Sequence, residues 1–256
     1  MKKIFENKKR IALTTLAAIL IAVIAISGTL AYFTDKDEVV NTFTMGKVDI
    51  SLDEPNWNDD DGSELLPGNV REKDPTVTAI EGTSYMRIRM ELVDGEGNLI
   101  TDQDRIDLIL ETLYYDKEDV IDLSKRYKTS ELTALETSGD IQFEYNKDLF
   151  EFAGIETGKP GARYYNYKTV LEQDDVAVLF THVIIPRDWH NEQIFTLGGD
   201  EYETTSNGSI EVITKGTGYK IIIKAEAIQA EEIDSAEDAF ELLNESTGVT
   251  IDDSVI

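Results

Sequence analysis

The chain has 256 residues, with 51 acidic and 24 basic side chains, and its formal net charge at pH 7 is −27. A polyanion of this size repels nucleic acid and anionic lipid headgroups, so neither is expected as a partner. The 41% hydrophobic content is typical of a folded protein, and the lack of cysteine excludes disulfides, thiolate catalysis and lipoprotein anchoring.

The first 31 residues have the three-part pattern of an export signal peptide. Five basic residues among the first ten precede an apolar run over residues 11–26, and small residues lead to Ala31. Cleavage between Ala31 and Tyr32 would leave residues 32–256 as one secreted domain, with membrane contact only before cleavage. Its net charge would be −31, because the removed segment holds five basic and one acidic side chain. A retained transmembrane anchor is the alternative interpretation.

The first predicted strand covers residues 39–52, where Val48, Ile50 and Leu52 alternate with polar residues. An acidic loop over residues 53–62 follows it. Oxygen ligands at alternate positions suit Ca²⁺, and they are offered here by Asn56, Asn58, Asp60 and the carbonyl of Gly62. The EF-hand pattern is not met, since Pro67 stands where its glutamate is required. The loop is therefore interpreted either as an ordered calcium site or as a solvated acidic loop, and no other cofactor is expected.

Further strands are predicted over residues 76–80, 85–93, 141–145, 163–171, 176–185 and 219–228. In residues 85–93 polar and apolar side chains alternate, which predicts a half-buried strand with one solvated face. Residues 176–180 are apolar throughout, so we expect them in the centre of a sandwich and not at an edge.

Helices are predicted at two places. Apolar residues with helical spacing lie within residues 102–115, at Ile106, Ile109, Leu110 and Leu113. Ser235 and Asp238 resemble a capping box that opens a short helix near the C-terminus. Residues 116–140 are charged and weakly patterned, which fits a helix-bearing insertion or a mobile loop. Many short strands with glycine-rich turns predict an all-β, antiparallel, jelly-roll-like sandwich with short peripheral helices.

Catalytic signals are weak. The two histidines, His182 and His190, belong to no HExxH helix, and the chain has no G-x-S-x-G motif. A zinc site would require the fold to bring both histidines together with an acid. We interpret them as one strand histidine and one surface histidine, and we predict no enzymatic activity.

Three N-terminal motifs resemble one family. Residues 28–35 read GTLAYFTD, residues 41–52 read NTFTMGKVDISL and residues 65–68 read LLPG. Together they resemble the cleavage region, opening strand and following turn of the TasA/camelysin family of Gram-positive exported proteins. The resemblance implies processing by a SipW-type signal peptidase and a place in the extracellular matrix or on the cell surface.

In fibre-forming members of that family, the mature N-terminus of one subunit adds as a strand to the next. The resemblance therefore implies a homopolymeric biofilm-matrix fibre, with the candidate donor residues Tyr32, Phe33, Val39, Val40 and Phe43. Before cleavage, the membrane-held signal would block this exchange. Two alternatives stay open: a metalloendopeptidase like camelysin, and a monomeric surface adhesin or binding module.

Overall fold

The computed structural model describes residues 48–57, 66–205 and 210–255, and within them the chain forms fourteen strands and four helices. The strands are β1 (Asp49–Asp53), β2 (Val70–Glu72), β3 (Thr76–Glu81), β4 (Ser84–Asp94), β5 (Leu113–Asp116), β6 (Ile141–Phe143), β7 (Phe150–Glu156), β8 (Lys159–Tyr167), β9 (Val176–Val178), β10 (His182–Ile184), β11 (Glu201–Thr204), β12 (Ile210–Thr214), β13 (Tyr219–Gln229) and β14 (Ile251–Asp252). The helices are α1 (Gln103–Leu110), α2 (Thr129–Ser138), α3 (Asn191–Gly198) and α4 (Ala236–Thr247).

The strands form four antiparallel sheets. One layer is a five-stranded sheet with the order β13-β4-β8-β7-β14. The other layer combines a three-stranded sheet, β1-β3-β9, with a four-stranded sheet, β2-β10-β5-β6, and β11 pairs with β12 in a separate hairpin. The predicted all-β antiparallel sandwich with short helices is confirmed, while the jelly-roll connection stays a prediction.

The main core lies between these two layers. On β4, every second side chain is fully buried, namely Met86, Ile88, Met90 and Leu92. They belong to one apolar cluster with Ile50 and Leu52 of β1 and with Ile223 of β13. Burial of each large apolar side chain contributes about 1.5–3 kcal/mol, so this alternation fixes which face of β4 points inward.

The opposite face of β4 is not solvated, and the predicted half-buried strand is wrong in this respect. Helix α4 covers this face, with Phe240 packed edge-on against Tyr85 at 6.4 Å between ring centroids. Arg87 is completely buried beneath the same helix. The helix was itself predicted, and its N-cap Ser235 accepts a hydrogen bond from the Asp238 N–H.

The apolar run at residues 176–180 supplies Ala177, Leu179 and Phe180 to the core of the sandwich, but the prediction that it avoids an edge is wrong. Strand β9 is the edge strand of the three-stranded sheet, and Val176 is 54% exposed. The apolar character of the run comes instead from Leu179 and Phe180, which are buried after β9 ends. The predicted strand over residues 176–185 is accordingly divided into β9 and β10.

The two helical regions in the middle of the chain differ in how they pack. Helix α1 begins after Asp102, whose carboxylate accepts the Arg105 N–H, and it ends at Leu110; Leu113 already belongs to β5. Residues 116–140 contain α2, and Tyr127 and Leu132 pack in a second apolar cluster against the four-stranded sheet. This segment therefore covers the outside of that sheet.

Candidate strand-addition edge

Strand β13 forms one edge of the five-stranded sheet. It pairs with β4 over its full length of eleven residues, from Tyr219 opposite Asp94 to Gln229 opposite Ser84, without a register shift. Its sequence favours a strand because Ile223, Ala225 and Ala227 are buried in the core while alternate residues face the other side. In the part of the chain that the structure describes, its second edge pairs with no strand.

The hydrogen-bond pattern shows which backbone groups of β13 point to this second edge. The Ala230 N–H donates to the Thr83 carbonyl, and Ser84 exchanges both of its hydrogen bonds with Leu171 on the far side of β4. Antiparallel pairs alternate, so every second residue of β13 directs its N–H and C=O away from β4. These residues are Tyr219, Ile221, Ile223, Ala225, Ala227 and Gln229.

Strand β1 lies beside β13 on the same side of the sandwich. It is the edge strand of the opposite layer, and its Ile50 and Leu52 share the core with Ile223. Both layers therefore end in strands whose outer edges have no partner among the described residues. We call this side of the sandwich the β1–β13 seam.

The predicted signal-cleavage and donor residues precede the described part of the chain: Ala31, Tyr32, Phe33, Val39, Val40 and Phe43. The first described residue, Val48, is buried in the core cluster of the seam. The segment that holds the donor residues is thus joined to the fold next to the seam. Their role stays a prediction.

The other edge of the five-stranded sheet is occupied. The two residues of β14 pair with Ile155 and Glu156 of β7, and the Thr157 N–H donates to the Thr250 carbonyl at 2.9 Å. Strand β7 also has two register shifts, which break the regular ladder of the edge. Bulges and short covering strands are common means of protecting an edge from pairing with another chain.

Buried ion pairs join β4, β13 and α4 on the outer face of the sheet. Arg87 contacts the Glu226 carboxylate at 2.6 Å and donates to the Asn244 side chain. Arg89 bridges Glu91 and Glu156 at 2.8 and 2.7 Å. The network also holds Lys224, 2.9 Å from Glu91, and the ring of Tyr164, which lies under both guanidinium groups.

Nothing predicted from the sequence included this network, although the charged residues that form it follow a strand pattern. Charged side chains recur at every second position of both β4 and β13, as the period of a strand requires: Arg87, Arg89, Glu91, Lys224 and Glu226. Complementary charges of this kind stabilise neighbouring strands when they lie on one face. The partner strand is remote in sequence, so the pairing itself required the structure.

The calcium hypothesis concerns residues that are described only in part. The backbone N–H and side-chain amide of Asn56 both donate to the Asp74 carboxylate, at 3.0 and 2.8 Å. Asn58, Asp60 and Gly62 lie outside the described residues. A cation site at this loop stays a prediction.

The histidines occupy different kinds of position. His182 lies in β10 and is 7% exposed, with Nδ1 2.9 Å from the Thr181 hydroxyl, and burial lowers the pKa of its imidazole. His190 is exposed at the start of α3. Across residues 48–57, 66–205 and 210–255, no group of three or more His, Asp or Glu side chains is arranged to hold a metal ion.

An acidic groove lies between α1 and α3. Its lining includes Asp107, Glu111 and Glu192, together with the apolar Leu108. Burial, with a smaller contribution from Asp107, raises the pKa of the Glu111 carboxyl. No helix in the described ranges is long and apolar enough to cross a membrane.

These observations define an antiparallel β-sandwich protein whose larger sheet has one protected edge and one edge that no described residue pairs with. The family model described as camelysin metallo-endopeptidase matches residues 6–90. That match includes the three N-terminal motifs and extends into β4, so the N-terminal third of the chain is similar to the TasA/camelysin family. No curated protein matches the chain.

Proposed function

We propose that this protein is a secreted structural subunit that forms extracellular fibres by strand addition. The segment that begins at Tyr32 is the donor, and the unpaired edge of β13 on the next copy is the acceptor. The observation that supports this assignment is the regular eleven-residue edge of β13, beside the point where the donor segment joins the fold.

The donor segment is long enough for this role. At about 3.3 Å per residue, β13 measures roughly 36 Å, and residues 32–47 reach up to roughly 53 Å when extended. The segment can therefore cover the whole edge of a neighbour and still leave several residues as a connection. Backbone hydrogen bonds would supply affinity, and Phe33, Val39, Val40 and Phe43 would supply register.

Charge also favours pairing at this edge. The donor segment, residues 32–47, has three acidic and two basic side chains, a net charge of −1. Strand β13 has two lysines and one glutamate, a net charge of +1, and its Lys220 is exposed whereas Lys224 already pairs with Glu91. Local attraction between these groups would select the acceptor edge, even though two whole chains repel each other.

The test compares the chain cleaved after Ala31 with an Ala31 variant that the signal peptidase does not cleave. We expect filaments in electron micrographs of the cleaved chain and none from the uncleaved variant, because a tethered N-terminus cannot reach another copy. Filaments from uncleaved protein would exclude gating by cleavage. A cleaved chain that stays monomeric at all concentrations would exclude the fibre proposal.

A metalloendopeptidase is the second candidate, and the description of the matching family favours it. This activity would require a bound metal ion. Of the two histidines, His182 is the more buried and is the candidate ligand. Peptide hydrolysis by the purified cleaved chain that stops on addition of chelator would support this candidate. Hydrolysis that persists in chelator would exclude a metal-dependent peptidase, and no hydrolysis at all would favour the structural role.

A further inference from the structure

The two edges of the five-stranded sheet differ in how their outward N–H groups are satisfied. On β7, the Phe150 N–H donates to the Asn146 carbonyl and the Phe152 N–H to the Tyr145 hydroxyl. Just beyond β7, the Thr157 N–H donates to the Thr250 carbonyl. On β13, six residues direct N–H groups outward, and no strand in the described ranges pairs with them. Of the two edges of this sheet, the edge of β13 is therefore the one that presents a regular template within the described residues.

The C-terminal residues contact β7 closely. Gly154 has a φ of +124°, and a Cβ atom at this position would lie 2.4 Å from the Asp252 carbonyl oxygen. Only glycine avoids that contact, so the C-terminal chain lies directly against the backbone of β7.

Strand β14 also ends abruptly. The Asp252 carboxylate accepts hydrogen bonds from the N–H and the hydroxyl of Ser254, at 3.0 and 2.6 Å, which turns the chain away after two residues. The covering strand is thus too short to act as a template itself. We call residues 250–252 the C-terminal cap.

We propose that the C-terminal cap closes the β7 edge to other copies of the chain, so that the five-stranded sheet has one acceptor edge and fibres do not branch through its other edge. This inference rests on the strand-addition function proposed above. Its physical basis is occupancy: a backbone group that is already paired inside the subunit gains little from pairing with another chain.

The test uses the chain cleaved after Ala31 with the substitution Asp252→Pro. The bond from Thr157 to Thr250 places the Asp252 N–H toward Ile155, so proline at this position removes it from the ladder. Asp253→Pro is the matched control, since residue 253 lies outside β14. A second variant ends at Gly248 and removes the cap while leaving α4 in place.

We expect both cap variants to associate laterally. Light scattering should give a mass roughly twofold larger than that of wild type at equal concentration, since each copy gains one pairing edge. Micrographs should show branched or bundled filaments, and Asp253→Pro should behave as wild type. Hydrogen exchange of the Thr157 amide should accelerate in Asp252→Pro, while circular dichroism verifies that the fold is retained.

The outcomes separate this inference from the fibre proposal. Wild-type filaments together with unchanged filaments from both cap variants would overturn the cap and leave strand addition intact. A monomeric wild type with associating cap variants would support the cap and exclude the fibre. If none of the chains associates, both proposals fail.

Discussion

Arg87 shows how one side chain can join three elements. Its guanidinium group contacts Glu226 of β13 and Asn244 of α4, and its side chain has no exposed surface. Removing one member of a buried ion pair leaves the other charge unpaired, which costs about 3–5 kcal/mol. The outer face of the sheet therefore depends on charges being matched across residues far apart in the sequence.

We expect Arg87→Ala to lower the free energy of unfolding by about 3–5 kcal/mol, because Glu226 would stay buried without its partner. Arg187→Ala is a suitable control, since Arg187 lies 3.6 Å from Glu131 and both side chains are about one-third or more exposed. Its effect should be below about 1 kcal/mol. Urea titrations of both variants measure the difference. Equal changes in the free energy of unfolding would show that the Arg87–Glu226 pair contributes no more than an exposed ion pair.

At the scale of elements, periodicity in the sequence predicted the existence of β4, β13, α1 and α4. It did not predict which strand lies at an edge, because edges depend on pairings between residues far apart. Strand β9 illustrates this point: its apolar composition suggested a central position, yet its neighbours leave it at an edge. The unpaired edge of β13 was unpredictable for the same reason.

The role of β13 as acceptor is tested by Ala225→Pro. The N–H of residue 225 points away from β4, so proline should preserve the β4 pairing and remove one donor from the open edge. We expect the cleaved chain to keep its fold, as judged by circular dichroism and thermal unfolding, and to lose filament formation in micrographs.

Ala225→Ser keeps the N–H and serves as the control, with filaments like those of wild type. Filaments of normal yield from a folded Ala225→Pro protein would show that another edge accepts the donor. Loss of fold in this variant would mean that β13 does not tolerate proline at residue 225, although the N–H of that residue points away from β4. The decisive comparison would then move to Ala227→Pro, the next residue on the same edge.

At the scale of the whole molecule, charge opposes assembly. The cleaved chain would carry a net charge of −31, because residues 1–31 hold five of the 24 basic side chains of the full chain and only one acidic side chain. Like charges on two copies repel over a distance set by salt, roughly 10 Å at 0.1 M ionic strength and 3 Å at 1 M. Composition predicted this property directly, whereas the location of the attractive Lys220 on the acceptor edge came from the structure.

Assembly of the cleaved chain should therefore strengthen as sodium chloride is raised from about 0.02 to 0.5 M, because salt screens the net repulsion more than the short-range strand contacts. Turbidity or light scattering against protein concentration would show a lower threshold for filament formation at high salt. Lys220→Glu, which inverts the charge at the acceptor edge, should raise that threshold at every salt concentration. Calcium chloride at equal ionic strength distinguishes screening from specific binding: an added effect of calcium would point to the loop with Asn56, Asn58 and Asp60. A threshold that rises with sodium chloride would contradict the view that repulsion between acidic surfaces limits assembly.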